Sequence, residues 1–145
     1  MVDCYEPEIM HLSLTRVGVQ DFLVAPLHEG DYYLKDMAAR SLVFERKTIK
    51  DFLASIPSRV GSQIKRCVSA YDRVILLLEG NWGISQDRHV TIGKSKQGWE
   101  AGPMWGKLYA LQVTYPGLVV LTSPDQMGSA RLIELFVRRA TARGW

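Results

Sequence analysis

Apolar positions change period several times along the chain, and each change marks an element. Pro7 suits a first helical turn, where a missing N–H costs nothing, and the helix it opens should run to about Val17 with Gly18 as the stop. Gln20 to Ala25 reads as a short strand. Gly30-Asp31 is a turn signal before Tyr32, Tyr33 and Leu34, which favour strand, and Ser41 to Lys47 reads as a second, longer strand. Thr48 with Asp51 three residues later forms a capping box, and Ile49, Phe52, Leu53 and Ile56 then follow the i, i+3, i+4, i+7 stripe of a half-buried helix. Pro57-Ser58 interrupts it. A further helix is expected from about Ser58 to Tyr71, with Val60, Ile64, Cys67 and Val68 inward and Arg59, Gln63 and Arg66 outward.

The run Val74 to Leu78 inside Arg73–Glu79 is continuously apolar, as in a strand covered by helices on both faces. Gly80 to Pro103 is richer in glycine and polar residues and reads as an excursion, with short strands around His89 to Ile92. A helix over Met104–Thr114, a strand over Leu118–Thr122 and a last helix follow. Ser123-Pro124-Asp125-Gln126 reads as a second capping box, and Leu132, Leu135, Phe136 and Ala140 as the buried side of that helix. Strands alternating with helices predict one α/β domain over residues 1–145, with a central mixed β-sheet flanked by helices. There is no internal repeat and no dividing linker.

With 145 residues, 47% hydrophobic and 23% charged, the chain can bury a real core; dominant disorder and multi-domain machines are excluded. No apolar run approaches the roughly 18 residues of a membrane span, so no membrane association is expected. Met1-Val2-Asp3-Cys4 is no secretion signal. Two cysteines make neither a disulfide framework nor a zinc knuckle, and an intracellular location is expected: cytoplasm or nucleoid in a prokaryotic or viral setting, nucleus in a eukaryotic one. A formal charge of +3 permits nucleic-acid binding without arguing for it.

Glu45-Arg46-Lys47 closes a hydrophobic strand. Side chains alternate along a strand, so Glu45 and Lys47 share a face and Arg46 points to the other. A carboxylate beside an ammonium suits phosphoester hydrolysis: the acid holds a divalent metal and the cation sits by the attacking water. Magnesium takes several oxygen ligands, so other acids are needed. Asp31 after its glycine turn, and Asp3 and Glu6 at the mouth of the first helix, are the candidates. Asp51 reads more simply as the helix cap.

Read together, Gly30-Asp31-Tyr32, then Glu45-Arg46-Lys47, then Asp51 after three residues, resemble the GD…ERKxxxD signature of the XPF/ERCC4 structure-specific nucleases. Val2 to Pro7, Gly18 to Ala25, Leu76 to Glu79 and Leu118 to Phe136 extend the resemblance to nearly the whole chain. It implies a restriction-endonuclease-like core and magnesium- or manganese-dependent DNA cleavage, leaving a 5′ phosphate and a 3′ hydroxyl. By the same resemblance Asp31 and Glu45 are the central metal ligands, Glu6 adds to the site directly or through water, and Asp3 is a lesser acid. Lys47 orients or activates the nucleophile, Arg46 and Asp51 pair and brace the motif, and Arg59 and Gln63 hold phosphate or support the site. Two departures stand out. Tyr5 occupies the place where the family has Arg before its N-terminal Glu. The tandem helix–hairpin–helix module of the relatives is also not expected within the sequence to Trp145. DNA affinity is then expected from a homodimer, from a heterodimer with a DNA-binding partner, or from the 80–103 segment.

In that segment Arg88, His89, Lys94 and Lys96 stand near Trp82 and Trp99. Two readings are open: a basic loop that meets phosphates and stacks on bases, or a solvated loop whose tryptophans fold onto the core. With Arg59, Gln63, Arg66 and Arg138 these cations are the DNA-binding candidates. Arg131, Arg138 and Arg139, with Arg143 beyond, crowd the last helix against Glu134, and the apolar stripe beside them could support dimerisation. The leading expectation is an endonuclease favouring branched, forked or flap DNA in repair or recombination. The alternatives are a non-catalytic DNA-binding or scaffold domain and a same-fold nuclease of ordinary duplex DNA.

Overall fold

The computed structural model describes residues 1–19, 22–56 and 58–142. In chain order the elements are β1 (Val2–Asp3), α1 (Glu8–Arg16), β2 (Val24–Ala25), β3 (Tyr32–Lys35), β4 (Ser41–Thr48), α2 (Ile49–Ser55), α3 (Val60–Ala70), β5 (Arg73–Glu79), β6 (Trp82–Ile84), β7 (His89–Ile92), β8 (Ser95–Glu100), α4 (Ala101–Thr114), β9 (Leu118–Ser123) and α5 (Gln126–Ala142). Six strands form one sheet in the order β2-β1-β3-β4-β5-β9. β3 lies antiparallel to both β1 and β4, while β4, β5 and β9 run parallel, so the sheet is mixed as expected.

Alternation along the central strands sorts the core into two halves. Val43, Val74, Leu76 and Leu78 pack with α2, α3 and α4. Phe44, Ile75 and Leu77 pack on the opposite face with Met10 and Leu14 of α1 and Ala130 and Ile133 of α5. The apolar run of β5 is thus covered on both sides, as its lack of alternation implies. Gly30 makes the turn into β3. Its φ is +79°, and a Cβ there would come within 2.3 Å of Val43 Cγ2, so neither the backbone nor the space admits a larger residue. Among the described residues no helix is long and apolar enough to cross a membrane.

Several expectations need correction. Pro7 is the N-cap, one residue before α1 begins. Of the described part of the strand expected over Gln20–Ala25, residues 22–25, only Val24–Ala25 is strand; Gln20 and Asp21 lie outside the described residues, as does Pro57. The 80–103 excursion is an antiparallel three-stranded meander, β6-β7-β8. α4 starts at Ala101, which places Pro103 in the first turn, where no N–H is required. At α5 the cap is Asp125, whose Oδ1 accepts the Gly128 N–H at 2.8 Å; Ser123 turns inward to Ser129 instead. Leu135 is exposed, and Ile133 takes the buried place expected of it.

Candidate functional site

β4 carries two charged constellations, one on each face. Facing α3 are Glu45 and Lys47, with Lys47 Nζ 3.1 Å from Glu45 Oε1 and both side chains largely shielded. Asp31 joins them from the turn before β3. Its N–H donates to Phe44 O at 2.8 Å, and its Oδ2 accepts the Arg46 N–H at 2.6 Å, so backbone bonds to β4 fix the carboxylate beside Glu45. Burial, then the charges of Glu45 and Glu6, push the Asp31 carboxyl up to about 8. Burial, then the charges of Glu45, Glu29 and Asp31, push the Cys67 thiol on α3 up to about 12. That thiol is therefore an inert part of the wall.

Asp31 and Glu45 are the two acids that could hold a cation here. Among the described residues no group of three or more His, Cys, Asp and Glu side chains gathers as an ion-holding cluster. The donor set nevertheless suits magnesium, which is commonly bound through one or two carboxylates and keeps several waters. A cation between the two acids would also offset both the burial and the Glu45 repulsion that push the Asp31 carboxyl upward.

The opposite face of β4 is closed. Arg46 Nε donates to Glu6 Oε2 at 2.8 Å and Arg46 Nη1 to Glu79 Oε1 at 3.0 Å. Tyr32 OH donates to the same Glu6 oxygen, and Ser129 Oγ, fully buried on α5, donates to Glu79 Oε2 at 2.7 Å. Burial followed by the Glu6 charge raises the Tyr32 pKa, so the phenol stays a donor. Burial alone would lower that of Arg46, but the Glu6 hydrogen bond and charge outweigh it. Arg46 therefore pairs with Glu6 and Glu79, and the expected Arg46–Asp51 pair does not form. Asp51 instead closes the capping box: its N–H donates to Thr48 Oγ1 at 3.1 Å, and Thr48 Oγ1 donates to Asp51 Oδ2 at 2.6 Å.

The other candidates scatter. Asp3 Oδ1 accepts the Leu27 N–H at 3.1 Å and ties down the segment after β2. Tyr5 is exposed. On α3, Arg59 is exposed at the N-cap, Gln63 is half-buried, and Arg66 Nε donates to Glu29 Oε1 at 2.6 Å. Arg88 and Lys94 sit in the turns on either side of β7. Lys96 donates to Asp87, and Arg138 pairs with Glu134. Arg143 lies outside the described residues. Trp82 and Trp99 pack against the core, which is the second of the two readings open for them. Sequence reasoning missed the Tyr32–Glu6–Arg46–Glu79–Ser129 network. Its one visible signal is alternation, which puts Arg46 opposite Glu45. The pairing of Thr48 with Glu79 that brings Glu79 to Arg46 needs the sheet register.

The ERCC4 domain profile matches residues 4–136. XPF from Aeropyrum pernix superposes with a TM-score of 0.73 at 29% identity, over 98% of this chain and 64% of that one. XPF from Aeropyrum pernix in complex with DNA superposes with a TM-score of 0.67 at 28% identity, over 94% of this chain and 62% of that one. The chain thus spans less than two thirds of the length of these solved relatives. Among curated proteins none matches it.

Proposed function

The chain belongs to the ERCC4 domain family, and from that premise we propose that it is a magnesium- or manganese-dependent DNA endonuclease with its centre at Asp31, Glu45 and Lys47. The observation that carries this reading is the gathering of two acids and one lysine on a single face of β4, with the Asp31 carboxylate held by the Arg46 N–H at 2.6 Å. A bound magnesium would polarise the scissile phosphate and lower the pKa of the attacking water. Asp31 and Glu45 would hold it. Lys47, released from Glu45 when that carboxylate turns to the ion, would steady the nucleophile and the phosphate charge. Arg46 keeps the strand in place from behind. Glu6 is engaged by Arg46 and Tyr32, so its contribution is to shape the site rather than to touch the ion. The products would be a 5′ phosphate and a 3′ hydroxyl.

The DNA complex of Aeropyrum pernix XPF supports DNA as substrate, and the family likeness supports branched, forked or flap DNA in repair or recombination. A domain of this size has little surface with which to hold a branch, so we propose a homodimer or a DNA-binding partner subunit. The exposed Trp105, Tyr109 and Val113 on one side of α4, with Trp105 and Tyr109 beside Val120 and Thr122 of the edge strand β9, are the surface such pairing would cover. Two unbridged cysteines, Cys4 and Cys67, support an intracellular location. The test is cleavage of labelled flap, fork, four-way junction, single strand and linear duplex with magnesium, manganese or EDTA. Metal-dependent cutting that favours junctions is expected. Equal cutting of all substrates removes the preference, and DNA binding without cutting leaves a scaffold domain.

A further inference from the structure

The outward side of α3 carries Ser62, Lys65, Arg66 and Ser69 at i, i+3, i+4 and i+7. These residues and the 28–29 segment enclose an open groove of about 520 Å³. A second groove of about 260 Å³ runs along the other flank of the helix, towards α4, and shares Ser62 and Lys65 while adding Lys107. The two grooves meet at Lys65, giving a continuous surface with three cations and small neighbours. Ser62 and Ser69 donate their hydroxyl hydrogens to carbonyls of their own helix, Arg59 O at 2.8 Å and Lys65 O at 2.9 Å. The cationic heads are then the donors left for a ligand. A strip of this kind fits a chain of phosphates better than a single anion.

One acid intrudes. Glu29 Oε1 accepts from Arg66 Nε at 2.6 Å, and its side chain is far less exposed than that of Arg66. Glu29 is anchored through its own backbone, since Tyr71 OH donates to Glu29 O at 3.0 Å. It also precedes Gly30-Asp31 directly, so the groove opens next to the Asp31 turn.

We propose that this surface of α3 is a track for the DNA phosphate backbone, contacted by Lys65, Arg66 and Lys107, and that Glu29 is a built-in stand-in for phosphate that Arg66 gives up when DNA arrives. The proposal rests on the reading that the neighbouring site works on DNA. No bond is made or broken in the exchange: a guanidinium trades one oxyanion for another. Glu29 thereby weakens binding of any duplex and favours substrates that supply further contacts.

Binding of a fluorescent fork and a linear duplex by the full chain, followed by anisotropy in EDTA, tests this. Glu29→Gln should tighten binding roughly two- to fivefold, the worth of one exposed ion pair. Arg66→Ala should weaken it, and Glu29→Gln should have no effect once Arg66 is gone. Lys65→Ala and Lys107→Ala lie away from the Gly30 turn and serve as independent probes. Each should weaken fork and duplex alike and lower the slope of log affinity against log salt by about one. Binding that is unchanged or weaker in Glu29→Gln overturns the exchange. Salt slopes unaltered in Lys65→Ala and Lys107→Ala overturn the track. Magnesium-dependent cutting by the wild type is measured separately. Cutting with indifferent lysines sinks the track alone, and lysine-dependent binding without cutting sinks the nuclease reading alone.

Discussion

The two faces of β4 hold nearly the same inventory, two carboxylates and one cation, yet they do opposite things with it. Towards α1 and α5, Glu6 and Glu79 flank Arg46, with Tyr32 and Ser129 supplying further donors. The segment before α1, β3, β5 and α5 each contribute a bond, and the charges are held in place. Towards α3, Asp31 and Glu45 have Lys47 and one backbone N–H between them, and the Asp31 carboxyl is pushed up to about 8. Charge that is fully bonded builds structure. Charge left short of partners is free to take a cation and a phosphate.

The largest expected effect comes from removing that uncompensated charge. Asp31→Ala or Glu45→Ala should lower magnesium-dependent cleavage by about a thousandfold or more, because each takes away oxygens that no water replaces in charge. Both variants should keep the wild-type circular dichroism and most of the DNA affinity. Lys47→Ala should slow turnover severely with a smaller change in the magnesium concentration needed. Cleavage of a labelled fork across a magnesium titration checks all three. Undiminished activity in EDTA would end the account.

The bonded face should fail differently. Arg46→Met leaves Glu6 and Glu79 buried without their cation, a situation that typically costs about 3–5 kcal/mol. Thermal unfolding should show that loss with or without magnesium. A variant that melts normally but no longer cuts would move Arg46 from the brace to the chemistry.

A third test uses pH. Between the ordinary 3.8 and about 8, native metal-free protein keeps a proton on Asp31 that the unfolded chain has released. The native state binds more protons there, so stability falls as pH rises through that window and levels above it. Asp31→Asn removes this dependence, and its melting temperature should overtake that of the wild type by pH 8 in EDTA. Magnesium binding must displace the same proton, so apparent affinity should climb with pH up to about 8 and then flatten. Isothermal titration at pH 6, 7 and 8 reads this directly.

What the sequence made legible follows the same division. Period and turn chemistry announced the parallel strands β4, β5 and β9, because residues such as Val74 to Leu78 report their surroundings through local pattern. Gly30-Asp31 and Glu45-x-Lys47 were visible because alternation alone puts Glu45 and Lys47 together. Glu79 was visible only as the end of a strand that resembles the family's, with no partner assigned, and Ser129 was silent. They meet Arg46 only through sheet register and the packing of α5, which bring residues 50 apart in the chain to 2.7 Å. The meander of β6, β7 and β8 was read as an excursion because its strands are three to six residues long and carry glycine and charge. Leu135 was misplaced because its stripe was chosen by residue type, while α5 is rotated to bury Ala130, Ile133 and Glu134.

The smallest effect is expected at Asp51, the last acid of the signature. It lies on the exposed rim of α2, with its carboxylate bonded to Thr48 and its N–H to the same hydroxyl. Nothing in that geometry joins it to Arg46, which turns to the far side of the sheet. Asp51→Ala keeps the capped N–H and should therefore cost about 0.3–1 kcal/mol, the usual worth of an acid in a first helical turn. Cleavage at saturating magnesium and at a temperature well below melting should stay within about twofold. Thr48→Ala removes the cap itself and should cost about 0.5–2 kcal/mol, and the double variant should fall short of the sum, since both residues serve one cap. Chemical denaturation of the three variants beside their cleavage rates separates the possibilities. Loss of activity in Asp51→Ala at unchanged stability, with Thr48→Ala still active, would place Asp51 on the chemical side of the comparison, reaching the site by a route that the capping bonds do not use.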